Sequence, residues 1–116
     1  MEQELPDKMN SIAFIIDGGF DTFSRLLKEA VLENGANTDN IFILINDIES
    51  EKERFESALK PMEKIYSVIR NEKKKELADC INLCTTHFSK EYTPRIRFYF
   101  IEKSTYTTWE IKNDST

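Results

Sequence analysis

Two short apolar runs constrain this chain most: Ser11 to Asp17 (Ser-Ile-Ala-Phe-Ile-Ile-Asp) and Ile41 to Ile45 (Ile-Phe-Ile-Leu-Ile). Both are rich in β-branched and aromatic residues and show no polar alternation, the pattern of strands buried on both faces. Between them Phe23, Leu26, Leu27, Ala30 and Val31 recur at the spacing of one helix face. Asp21 suits the N-cap of that helix and Gly35 its C-terminal stop, which predicts a helix over about residues 22–34. Gly18 and Gly19 let the chain turn sharply out of the first strand. Strand, helix and strand at this spacing form a βαβ unit with two parallel strands.

The stretch from Ser50 to about Ser89 contains no glycine and carries two helical stripes. Phe55, Leu59, Met62, Tyr66 and Ile69 make the first; Leu77, Cys80, Ile81, Cys84 and Phe88 make the second. One straight helix of that length would run roughly 60 Å, whereas a domain of this size has a radius of gyration of about 13 Å. The segment must therefore break. Pro61 and the Arg70-Asn71-Glu72 region are the two places where the sequence permits it.

After Pro94, Arg95 to Ile101 and Tyr106 to Lys112 alternate as strands and predict a C-terminal antiparallel hairpin through Lys103, Ser104 and Thr105. The expected fold is thus α/β or α+β, with element order β-α-β-α-(α)-β-β. A mixed sheet of about four strands would carry helices on one or both faces. Residues 1–10 read as a flexible arm, 11–112 as a single compact domain and 113–116 as a frayed tail. With 116 residues there is no room for a second domain.

The formal charge is -5, and it is unevenly placed. Residues 1–50 hold 10 acids and 3 bases, while residues 51–116 hold 11 acids and 13 bases. The acidic balance argues against nucleic acid as the default partner and for a basic one. The N-terminus is polar and acidic rather than a signal peptide, and the longest apolar run is far too short to span a bilayer, so no membrane association and a cytoplasmic location are expected. Two cysteines four residues apart in a helical pattern read as free thiols.

Four residue sets bear on chemistry. Asp17 and Asp47 each end or follow an apolar strand, where ligands bind in open parallel sheets, and two carboxylates there suit a hard cation such as Mg²⁺. Asp21, Glu49 or Glu51 would complete such a site. The stretch Phe14-Ile-Ile-Asp17-Gly18-Gly19 resembles the first motif of metal-dependent nuclease domains of the PIN and NYN type. The resemblance spans those six residues and implies a catalytic, metal-bound Asp17. Asp is also a favoured residue wherever a strand simply ends.

Cys80, Cys84 and His87 fall on one helix face as possible zinc ligands, although a fourth ligand is missing and buried cysteines commonly pack as small hydrophobes. Lys73-Lys74-Lys75 is flanked by acids and reads as a solvated corner. The hairpin offers Arg95, Arg97, Tyr99, Tyr106 and Trp109, a basic and aromatic set suited to a single strand of nucleic acid, against which the overall acidity weighs.

No cofactor is expected. The reading that follows from size and charge is a small protein-binding module, an inhibitor or immunity-type protein that blocks a basic partner such as a nuclease toxin. Its contact residues would be Asp17, Asp21, Glu29, Glu33, Asp39, Asp47 and Glu49, with Tyr99 and Tyr106 as aromatic contacts. The alternative is a metal-dependent hydrolase or nuclease using Asp17 and Asp47. A homodimer joined through the hairpin edge is a third possibility.

Overall fold

The computed structural model describes residues 10–32, 40–46, 49–88 and 95–112. The elements run β1 (Asn10–Ile16), α1 (Phe20–Leu32), β2 (Ile41–Ile45), a single 3-10 turn (Glu49–Glu51), α2 (Lys52–Met62), β3 (Ser67–Arg70), α3 (Leu77–His87), β4 (Arg95–Glu102) and β5 (Thr105–Lys112). They form one five-stranded sheet of order β3-β2-β1-β4-β5. The first four strands are parallel, and β5 returns antiparallel to β4.

The apolar runs lie where their composition requires. β1 is the middle strand, and its alternate residues enter two different cores. Ile12, Phe14 and Ile16 join Ile41, Ile43, Ile45 and Ile101 beneath Phe23, Leu26, Leu27 and Ala30 of α1 and Phe55 and Leu59 of α2. Ala13 and Ile15 join Phe42, Leu44, Ile96 and Phe98 beneath Cys80 and Cys84 of α3. Helices therefore cover both faces. Both neighbours of each β1 residue are apolar or aromatic nearly throughout: Phe14 lies between Ile43 and Tyr99, and Ile16 between Ile45 and Ile101. A one-residue slip would exchange the two cores, so the register is strongly specified.

The expected four strands are five. The sequence predicts helical continuation through Tyr66 and Ile69, but the helix stops at Met62, one residue after Pro61, and the chain enters β3. Val68 and Ile69 pair with Ile43 and Leu44. A continued helix would have left the outer edge of the buried strand β2 without hydrogen-bond partners, a larger penalty than ending α2 early. Helix resumes at Leu77, beyond the Arg70-Asn71-Glu72 region, so the chain is non-helical between the two expected breaks.

Asp21 is not the N-cap of α1. The helix begins at Phe20, with the Phe23 N–H donating to the Gly19 carbonyl at 2.9 Å. Asp21 lies inside the first turn, its side chain 83% exposed. Gly35, the expected stop, lies outside the described residues, as do Glu33, Asp39, Asp47, Pro94, the tail 113–116 and all but the last residue of the 1–10 arm. The β4–β5 turn has two central residues, Lys103 and Ser104. Lys103 has φ of 60°, and a positive φ at the first central residue alone is the type II′ pattern. No helix among the described residues is long and apolar enough to cross a membrane.

Candidate functional site

The strand order reverses its direction of growth at β1. From β1 the chain steps outward to β2 and β3 on one side, then crosses to place β4 on the other. In open parallel sheets the crevice beyond the carboxyl ends of the strands at such a point is the usual ligand site.

Three polar residues stand in a row along this edge, one directly after each of β1, β2 and β3. The Asp17 N–H donates to the Ile101 carbonyl at 2.8 Å, the Asn46 N–H to the Ile16 carbonyl at 2.8 Å, and the Asn71 N–H to the Ile45 carbonyl at 2.9 Å. Each bond extends a strand ladder by one residue and then turns the chain out of the sheet. Asp17, Asn46 and Asn71 are thereby held at the rim by backbone geometry.

Asn46 is 4% exposed and organises the loop above it. Its Oδ1 accepts from the Lys75 N–H at 2.9 Å and from Asn71 Nδ2 at 2.8 Å, and its own Nδ2 donates to the Lys75 carbonyl at 3.0 Å. Both hydrogen-bonding ends of one buried amide are thus used to pin the lysine-rich segment. Lys73, Lys74 and Lys75 are all exposed, as a solvated corner requires, while the backbone of Lys75 is held to the sheet by Asn46. Lys74 and Lys75 of this run line an open cleft of about 450 Å³ together with Asp17, Asn46, Glu76, Leu77 and Phe100.

Asp17 is the buried charge of this cleft. Its side chain is 8% exposed; Oδ2 meets the Lys74 ammonium at 3.0 Å, and Oδ1 is buried with no hydrogen-bond donor among the described residues. An unmet acceptor of this kind is uncommon in folded proteins, and a catalytic role or a bound ion is among its explanations.

The N-terminus of α1, beside Asp17 in sequence, is already occupied. The Glu51 carboxylate accepts from the Gly19 N–H at 2.9 Å and the Phe20 N–H at 3.3 Å. These are the amides that would otherwise cradle an anion at a helix start. Arg54 supports the arrangement. It pairs with Asp21 at 2.6 Å and with Glu51 at 3.5 Å, and its guanidinium lies 4.7 Å from the Phe20 ring centroid. Glu51 and Asp21, both expected as companions for Asp17, are thus engaged in joining α2 to α1. Gly19 itself abuts the backbone of the β4–β5 turn at Lys103.

The remaining expected residues are placed as follows. Glu29 pairs with Arg25 at 3.5 Å on exposed α1 surface, and Glu49 is exposed. Cys80 and Cys84 are 0% exposed and face the sheet, with burial pushing the Cys84 thiol up to about 12. Packing thus explains the spacing of these two residues, and among the described residues no group of three His, Cys, Asp or Glu side chains is arranged to hold a metal. Tyr99 is half-buried and stacked on Phe14 with centroids 5.0 Å apart, whereas Tyr106 is 43% exposed beside it. Trp109 stacks on Phe98 on the opposite face.

His87 stacks on the buried Phe42 ring, with centroids 4.3 Å apart. Desolvation there lowers its pKa below the ordinary value of 6.5. The unfolded chain therefore takes up the proton at a higher pH than the folded one. Stability is expected to fall as pH drops from about 6.5 toward the lowered folded value, and to show no further His87 effect below it. Urea midpoints measured from pH 8 to pH 5 should slope more steeply for the wild type than for His87→Phe; equal slopes would contradict this.

Sequence reading singles out Asp17 but passes over Asn46 and Asn71. The signal that could have found Asn46 is a polar residue directly after a β-branched run, as Asp17 follows its own. No family model matches the chain, and no curated protein matches it at a significant level.

Proposed function

We propose that this chain is a metal-assisted hydrolase of phosphate esters, working from the cleft at the carboxyl ends of β1, β2 and β4. The observation that carries this reading is the buried Asp17 carboxylate with one oxygen unpartnered beside that cleft. Mg²⁺ and Mn²⁺ favour carboxylate, water and phosphate oxygens, and Mg²⁺ commonly uses only one or two protein carboxylates, keeping waters and substrate phosphates for the rest. Asp17 supplies the first carboxylate. Asp47, which follows Asn46 in sequence, is the second in this reading. Lys74, which faces Asp17, and Lys75 would supply positive charge for phosphate oxygens at the same cleft. The resemblance of Phe14 to Gly19 to the first motif of metal-dependent nucleases points the same way.

The test is thermal melting with and without millimolar Mn²⁺ or Mg²⁺, paired with release of nitrophenolate from bis(p-nitrophenyl) phosphate. Metal at a hundredfold excess over its dissociation constant stabilises the folded state by about 2.7 kcal/mol. The wild type should therefore melt higher with metal, and Asp17→Asn should not respond. Without metal, Asp17→Asn should melt within about 8 °C of the wild type, the shift made by roughly 1 kcal/mol in a small domain. It loses the Lys74 ion pair but also a buried unmet acceptor. No metal shift together with no metal-dependent hydrolysis would sink this reading.

The same experiment separates the alternative, an acidic protein that blocks a basic partner. Of the acids assigned to that role, Asp17, Asp21 and Glu29 already face Lys74, Arg54 and Arg25, which reduces the local negative potential available to a partner.

A further inference from the structure

We infer that the open face of the β4–β5 hairpin is a docking platform for single-stranded nucleic acid. The register places Arg95 opposite Lys112, Arg97 opposite Glu110 and Tyr99 opposite Thr108, all on one side, with Tyr106 opposite Ile101 on the same side. This side continues the α1 and α2 core, where Ile101 is fully buried, but the helices do not reach across it: Arg95, Arg97, Tyr106, Glu110 and Lys112 are all exposed.

Three features of this face suit a strand of phosphates and bases. Arg95 and Lys112 are like charges directly opposite each other, an unfavourable pairing in a bare sheet. Among the described residues neither makes an ion pair, so each of the two cations is available to one phosphate of a strand laid across this end. Arg97, paired with Glu110 at 2.9 Å, adds a third cation against a single acid. At the other end the Tyr106 ring lies 6.0 Å from the half-buried Tyr99, which is itself stacked on the buried Phe14, so Tyr106 is an exposed ring braced from beneath by two aromatic rings. The two ends are separated by six residues of strand, about 20 Å, room for several nucleotides.

Single strands are bound by this combination of a cationic track and aromatic platforms, whereas duplexes bury the base faces that Tyr106 would meet. The net charge of -5 does not forbid it. Charges farther than about 8 Å are largely screened at physiological salt, and the local balance governs.

The platform needs neither metal nor the cleft, so its failure and that of the hydrolase reading are distinguishable. The test is fluorescence anisotropy of labelled oligothymidylate and oligouridylate on the full chain without metal, across a salt series. Wild type and Asp17→Asn should bind alike. Arg95→Gln with Lys112→Gln should flatten the slope of log affinity against log salt by about 1.4, at about 0.7 for each phosphate no longer neutralised. Tyr106→Ala should weaken binding by roughly tenfold. The lone Trp109, stacked on the other side of the sheet, reports by its fluorescence that each variant remains folded. No anisotropy change with the wild type would overturn the inference. So would binding that is insensitive to Tyr106→Ala, which marks mere polyanion attraction, or sedimentation showing this face buried in a homodimer that excludes the oligonucleotide.

Discussion

Replacing Gly19 with alanine is expected to remove much of the stability of this domain. Gly19 has φ of +91°, and a Cβ there would lie 2.1 Å from the Lys103 carbonyl oxygen and 2.8 Å from the Lys103 Cα and carbonyl carbon. The obstruction is backbone, and it is fixed: the Lys103 carbonyl accepts a hydrogen bond from Thr22 Oγ1 at 2.8 Å. It cannot swing aside like the tip of a side chain. The left-handed backbone costs a residue with a Cβ about 1–2 kcal/mol, and overpacking adds about 1–3 kcal/mol. Together these approach the lower end of the roughly 5–15 kcal/mol that holds a domain folded.

Gly18→Ala is the internal control. Gly18 has φ of +98°, but the nearest atom to its added Cβ is a Lys103 side-chain carbon at 3.8 Å. It should suffer the backbone strain alone. Urea midpoints for the two variants measure the difference. Equal losses would mean that the β4–β5 turn yields and that the close approach does not constrain the fold.

The second large effect is expected from Asn46→Ala. The substitution strips partners from the Lys75 N–H, the Lys75 carbonyl and Asn71 Nδ2. At about 1 kcal/mol for each hydrogen bond the loss is about 3 kcal/mol. Its local consequence is more diagnostic than its size. Lys75 is tied to the sheet by this amide, beside the Lys74–Asp17 ion pair, so trypsin should cut after Lys73, Lys74 or Lys75 faster in the variant under native conditions. Asn46→Asp should fall between: its carboxylate can accept from both donors but opposes the Lys75 carbonyl oxygen. Unchanged proteolysis in Asn46→Ala would show that the loop is held by other contacts.

The two variants probe the parts of the site that are hardest to read from the sequence. The βαβ unit is legible because Ile12 to Ile16 and Ile41 to Ile45 are buried on both faces, and a run without polar alternation has few other uses. The hairpin is legible because Ile96 and Phe98 alternate with Arg95 and Arg97, one side core and the other exposed. β3 is not legible. Ser67 to Arg70 holds only two apolar residues, and Tyr66 and Ile69 happen to continue the spacing of the α2 stripe. Its pairing to β2 is a long-range benefit that local periodicity does not register. Asp21 has the chemistry of an N-cap, yet Glu51, about thirty residues away in sequence, takes over that role.

Local pattern alone determined which stretches must be buried, where the first strand exits through Gly18 and Gly19, and that Asp17 stands at a strand end. These depend on side-chain polarity and backbone freedom within a few residues, which are written in order along the chain. The tertiary structure alone decided what those residues face. It set Asn46 under Lys75, left one oxygen of Asp17 without a donor, filled the α1 amides with Glu51, and gathered Arg95, Arg97 and Lys112 on one side of an otherwise acidic protein. Net charge and periodicity average over such neighbours. Strand order and register place residues distant in sequence within hydrogen-bonding distance, and at that distance the individual partner, not the average, determines the chemistry.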